Sequence, residues 1–203
     1  MARGARRSKK RFAGMLEIGN RVRLDIHPGR GKLARIQGVE LVAGVQRARE
    51  DLLRLSLLAY GCEALGRLAG EHQPAPRLAR LLVVWVERLE HDGEMGVAHR
   101  QALEAKALRF AGLLPDLHRC ARCSRPLVDH ASVPTEGGVL HPACGPGVGV
   151  EAADLLALDR LLRTPLFEIR VEQASGAGWL LCDRIQHHLR APLKSATLLR
   201  ELL

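Results

Sequence analysis

The chain has 203 residues, 47% hydrophobic but only 3% aromatic, enough for one substantial core or two small domains, and its Leu, Ala and Arg content favours helical packing. Its net charge of +9 sits at one end: residues 1–36 carry eleven Lys or Arg against Glu17 and Asp25, and the other 167 residues balance at 20 basic and 20 acidic. The longest strongly apolar run, LLVVWV at 81–86, is far short of the roughly 18 residues that span a bilayer, so a membrane-spanning class is excluded and a soluble protein expected.

The basic excess comprises Arg3, Arg6, Arg7, Lys9, Lys10, Arg11, Arg21, Arg23, Arg30, Lys32 and Arg35. Such asymmetry is the electrostatic footprint of a polyanion-binding region. A transit peptide, a nuclear address and a solvated tail compete with that reading. Residues 20–27 alternate strictly, with Val22, Leu24 and Ile26 on one face and Arg21, Arg23, Asp25 and His27 on the other, which predicts a half-buried strand. Pro28-Gly29-Arg30-Gly31 supplies a turn, and 32–42 resumes as a second strand with Gly38 a candidate bulge. FAGMLEI at 12–18 is a candidate third strand. A sheet this small leaves an apolar face and an edge uncovered.

From 45 the period becomes helical. Leu52, Leu55, Leu58, Cys62 and Leu65 predict a core-facing helix over 45–69. Pro76 suits the first turn of a second helix bearing Leu78, Leu82, Trp85 and Leu89, which Asp92-Gly93 ends. A third, at about 94–112, carries Leu103, Ala107 and Phe110 and stops at Leu114-Pro115.

CARC at 120–123 and HPAC at 141–144 then place four metal ligands in two short bites. A two-residue spacer lets both side chains of one tight turn reach the same ion, and two such turns supply a tetrahedron. Cys120, Cys123, His141 and Cys144 therefore read as a structural zinc site, closed to water and so not catalytic. The competing reading is three reduced thiols in a loop. The segment 120–144 has only Leu127, Val128, Val133, Val139 and Leu140 as sizeable aliphatics, too few to order it without a metal. His118 and His130 are expected to be exposed and not ligands, although His118 could substitute for His141.

Helices resume at 151–163 with Leu155, Leu158 and Leu162, and at 177–190 with Trp179, Cys182, Ile185 and Leu189; residues 164–174 are ambiguous, and a short helix after Pro192 holds Leu198 and Leu199. Cys62 and Cys182 read as buried free thiols, in keeping with a reducing compartment. There is no internal repeat and no low-complexity segment.

ARGARRSKKRFAGMLEIGN at 2–20, a hairpin, helices, PDLHRCARC at 115–123, GGVLHPAC at 137–144 and LRAPLKSATLLREL at 189–202 occur in an order that resembles the bacterial recombination mediator family RecO. The resemblance covers essentially the whole chain. It implies an α+β protein, with an N-terminal OB-fold β-barrel, here partial, in residues 1–44 and a mainly α-helical domain in 45–203 interrupted by a zinc-binding segment at about 117–147. Many members use four cysteines where this chain has His141, a change that preserves the ligand chemistry, and some lack the metal. In the family the ARGARR stretch is preceded by the first barrel strands, whereas here it follows Met1; a start codon assigned too late is the expectation, with a shortened paralogue as the alternative.

The resemblance further implies a cytoplasmic, nucleoid-associated protein that binds single- and double-stranded DNA, contends with single-strand DNA-binding protein, anneals complementary strands and works with RecR to load RecA. The residues alone support only the nucleic-acid part. Two other classes stay open: a zinc-ribbon protein binding RNA or ribosomes, and a helical adaptor that binds no DNA. No nucleophile with a positioned base, phosphate-cradling glycine loop, carboxylate pair, HExxH or deaminase pattern stands out, so an enzyme is not expected.

Overall fold

The computed structural model describes residues 12, 14–29, 34–71 and 73–203. The alternating stretch forms β1 (Arg21–His27), antiparallel to β2 (Arg35–Ala43). Across the ladder Val22 faces Leu41, Leu24 faces Val39 and Ile26 faces Ile36, an apolar row beside the polar pair Arg23 and Glu40. The register slips between Asp25 opposite Gly38 and Ile26 opposite Ile36, so the bulge falls where Gly38 predicts it. These two strands form a sheet of their own, with no closed barrel among the described residues. Leu24, Ile26 and Leu41 accordingly remain 37%, 54% and 44% exposed.

The candidate strand at 12–18 is instead a run of turns over its described residues. Gly14 and Gly19 both hold positive φ, and the Met15 amide donates to the Phe12 carbonyl, so the backbone folds back before it can extend. Asn20 pins this turn to the helices: its amide donates to the Met15 carbonyl, and its Oδ1 accepts from the Val45 amide at 3.1 Å and from Arg49.

The helix predicted over 45–69 divides into α1 (Arg47–Glu50) and α2 (Leu52–Leu68). Asp51 is extended between them, and its carboxylate accepts the Arg54 amide at 2.7 Å as the N-cap of α2. The predicted face also shifts: Leu58 and Leu65 are buried, but Leu52 and Leu55 are 57% and 40% exposed, while Leu57, Tyr60, Gly61 and Ala64 turn inward. The cause is that α2 packs against several partners, α3 (Pro76–Glu90), α4 (Val97–Phe110), α6 (Leu180–Leu189) and α7 (Lys194–Leu202), which broadens and rotates its buried arc.

Helix α4 is the axis of the core, meeting α2, α3, α5 (Ala152–Arg163) and α6. Leu103 and Ala107 are buried as expected, whereas Phe110, at the last turn, is 41% exposed. The ambiguous stretch resolves into two short 3-10 turns, Leu166–Glu168 and Val171–Gln173, that drop Leu166 and Ile169 into the core. Of the two spare thiols Cys182 is buried and Cys62 half-buried.

Helix ends are satisfied by side chains from other helices. The Glu90 carboxylate accepts the amides of Gln46, Arg47 and Ala48 at the start of α1. Glu63 accepts the Lys194 and Ser195 amides and the Ser195 hydroxyl, closing the start of α7. The Lys106 ammonium donates to the carbonyls of Leu161, Leu162 and Thr164 at the end of α5. Each contact puts charge where the helix dipole favours it and ties two helices together.

Candidate metal centre

Between α4 and α5 the chain leaves the helical core and builds a ribbon. β3 (His130–Val133) pairs antiparallel with β4 (Val148–Glu151), and Ser132 exchanges both backbone hydrogen bonds with Leu140, at 2.8 and 2.9 Å. The first ligand turn is closed by the Ser124 amide donating to the Cys120 carbonyl and the Cys120 amide donating to Arg125, with Ser124 at φ 60°. The second is a single 3-10 turn, Pro142–Cys144. The Ala121 amide donates to Val139 O at 2.8 Å and joins the two. Gly138 is required there, because a Cβ on it would come within 2.4 Å of the Ala121 methyl.

This closure brings together all four predicted ligands, Cys120, Cys123, His141 and Cys144, with one ligand atom from each lying within 4.8 Å of the others. A tetrahedral zinc with bonds of about 2.0 to 2.3 Å needs ligand separations of roughly 3.5 to 4 Å, so little movement separates this cluster from a filled site. His141 is oriented for the task. Its Nε2 lies 2.9 Å from the Pro126 carbonyl, which leaves Nδ1 facing the Cys123 sulfur at 3.3 Å.

The local field prepares the sulfurs. Burial opposes a Cys120 thiolate, but hydrogen bonds from the backbone of Cys123, His141 and Arg122 outweigh it and bring the thiol down to about 5. The Arg125 side chain is the main cause that lowers Cys123. Cys144 is raised, first by burial and then by the two neighbouring sulfurs, and His141 is raised, chiefly by the Pro126 carbonyl. A divalent cation removes that mutual repulsion, so the donor set and its surroundings fit a metal. His118 and His130 are exposed, as expected, and outside the cluster; His118 instead lies 3.4 Å from Asp159.

The underside of the ribbon is apolar, with Ala131, Val133 and Val139 at most 4% exposed. Arg184 of α6 fastens it by donating to the carbonyls of Leu113 at 3.0 Å and Gly137 at 2.6 Å.

Of the predicted DNA contacts, Arg3, Arg6, Arg7, Lys9, Lys10, Arg11, Arg30 and Lys32 lie outside the described residues. Arg21, Arg23 and Arg35 are exposed, as the hairpin requires. Two of them meet acids, Arg21 with Glu87 at 3.7 Å and Arg23 with Glu40 at 2.5 Å. Exposed pairs of this kind are worth roughly 0 to 1 kcal/mol and can exchange partners.

A buried polar set on α4 escapes sequence reading. His99, Arg100, Gln101 and Glu104 are all at most 1% exposed. Arg100 grips Glu104 with two hydrogen bonds at 2.8 and 2.9 Å, Tyr60 donates to the same carboxylate at 2.6 Å, and Trp179 lies 3.8 Å under the Arg100 guanidinium. The spacing of Arg100 and Glu104 by four is the only trace of this in the sequence, and it looks the same as a solvated helix pair.

A helical core closed on one side by a ribbon defines a small mixed α/β protein whose three-cysteine, one-histidine cluster could hold a metal ion. Comparison with known proteins gives the particular family. Residues 49–197 match the family described as Recombination protein O C terminal. The chain is 37% identical to the DNA repair protein RecO of Myxococcus xanthus (strain DK1622), over 99% of this chain and 84% of that protein. It is 35% identical to that of Geobacter sulfurreducens over 100% and 85%, and 36% identical to that of Anaeromyxobacter sp. (strain K) over 99% and 84%. The chain belongs to the RecO family. Among the described residues no helix is long and apolar enough to cross a membrane.

Proposed function

We propose that this chain is a cytoplasmic DNA repair and recombination mediator. In this reading it binds single- and double-stranded DNA, anneals complementary strands, and helps RecR load RecA onto gaps coated with single-strand DNA-binding protein. The observation that carries it is likeness at 35–37% identity, over nearly the whole chain, to relatives named DNA repair protein RecO. Residues 1–44, with the hairpin, form the DNA-binding unit as a partial OB fold, and 45–203 form the helical unit with the ribbon inserted at about 117–147. Cys120, Cys123, His141 and Cys144 hold a structural zinc. The ion supplies cross-linking free energy, about 10 to 16 kcal/mol in small zinc domains, and no chemistry.

The mechanism is one of charge and requires no catalytic residue. Annealing is opposed by repulsion between two phosphate chains, and a surface that neutralises both lowers that barrier. The N-terminal region offers Phe12 as its one aromatic, and it is 1% exposed, so stacking on bases is weak there and contacts go mostly to phosphate. If roughly 6 to 8 of the eleven N-terminal cations meet phosphates, they contribute a slope of about −4 to −6 to log affinity against log salt on single strands. The test is pairing of dye-labelled complementary strands with and without the chain, followed by RecR-dependent RecA assembly on a coated gap. Faster pairing and RecR-dependent assembly are expected; pairing at the protein-free rate overturns the proposal.

A further inference from the structure

Three arginines interleave with the ligands of the first metal turn at three-residue spacing: Arg119, Arg122 and Arg125. All three are exposed. Arg119 is braced on the Ser124 carbonyl at 3.2 Å and Arg122 on the Cys144 carbonyl at 2.6 Å, while Arg125 lies beside the Cys123 sulfur. Each therefore spends one donor on the ribbon and keeps the rest of its fork for solvent.

Among the described residues none of the three is paired with a carboxylate, whereas Arg21, Arg23, Arg47, Arg49, Arg163 and Arg200 all are. Nearby acids are occupied elsewhere. Asp116 accepts the amides of His118 and Arg119, Asp159 holds Arg163 and His118, and Glu136 holds His187. A divalent ion on three thiolates and a neutral imidazole carries one negative charge, and the three guanidiniums turn that into two positive charges on one turn. Guanidiniums that are partly braced and have no carboxylate partner suit phosphate oxygens, since less side-chain freedom is lost on binding.

We propose that this turn is a second nucleic-acid contact, at which Arg119, Arg122 and Arg125 take phosphates of a bound DNA single strand. The inference rests on the DNA-binding reading above and adds to it a role for the ribbon beyond holding the fold. The ribbon then both closes the helical core and reads the backbone of the strand, without base preference.

The test is the salt dependence of oligothymidylate binding by the full zinc-loaded chain, by the triple variant R119Q/R122Q/R125Q, by its counterpart R119K/R122K/R125K, and by the charge-matched control R77Q/R80Q/R109Q. At about 0.7 per single-strand phosphate contact, the ribbon glutamine variant flattens the log–log slope by about 2, while the lysine variant and the control keep it. An unchanged slope in the ribbon glutamine variant, or equal flattening in the control, overturns the inference and leaves the DNA-binding reading standing. Failure of the unaltered chain to bind sinks both. Metal content checks that the ribbon survives. Where the glutamine variant loses zinc, phenylglyoxal labelling of the unaltered chain decides: protection of these arginines by oligothymidylate supports the contact, and equal labelling with and without it overturns it.

Discussion

At the scale of single residues, two positions behave against their usual chemistry. Gly61 lies inside α2, where alanine is ordinarily better by about 1 kcal/mol. A Cβ there would meet the Trp85 ring at 2.4 Å, and that ring is fully buried with its Nε1 donating to the Leu57 carbonyl at 3.1 Å. The indole cannot retreat without losing that bond, so Gly61→Ala is expected to destabilise by about 1 to 3 kcal/mol, read as a lower denaturation midpoint. An unchanged or higher midpoint would show that α2 and α3 are looser than this.

His99 is the second. Burial, and then the Arg88 guanidinium 3.2 Å from its Nε2, bring its pKa down to about 4. A base depressed on folding contributes stability that is full above the unfolded value near 6.5 and is lost as pH falls towards 4. The loss reaches roughly 3 kcal/mol, at about 1.4 kcal/mol per unit. Chemical denaturation of the chain and of His99→Gln between pH 7 and 4.5 should show a steeper decline in the unaltered chain. Parallel declines would place the pH sensitivity elsewhere.

At the scale of elements, the ribbon and the helices are ordered by different means. The helices hold one another through apolar packing and through Glu63, Glu90 and Lys106 on each other's ends. The ribbon has a thin apolar underside, and its four candidate ligands and Arg184 are the groups placed to hold it. Removing the metal with a chelator, or replacing Cys144 by Ser, should therefore make 117–147 sensitive to protease while helical circular dichroism persists. Equal protection with and without metal would mean that the ribbon stands on packing alone.

This division also explains what could be read from the residues. Short-range signals were legible: the CARC and HPAC bites, Pro76 at a first turn, the alternation of 20–27 and the bulge at Gly38. Features set by tertiary partners were not. The buried arc of α2 depends on where α7 docks, which the period of Leu52 and Leu55 does not encode. The buried Arg100, Glu104 and Tyr60 set, with Trp179 against it, depends on three separate stretches of chain meeting, α2, α4 and the segment before α6. Residues 12–18 have strand-like composition, but Gly14 and Gly19 turn them back.

At the scale of the whole molecule, the proposed function requires the N-terminal cations to hold the phosphate chain while the helical body and its ribbon position it. Arg21 and Arg23, which face Glu87 and Glu40, contribute less to this than an exposed cation without a carboxylate partner would. The most direct measurement is the salt dependence of single-strand DNA binding by the intact chain beside a variant in which Arg3, Arg6, Arg7, Lys9, Lys10 and Arg11 are all replaced by Gln. A steep slope for the intact chain that flattens by about 3 to 4 in the variant is expected; a slope that is already flat, or one unchanged by the six replacements, would show that these cations do not hold the strand.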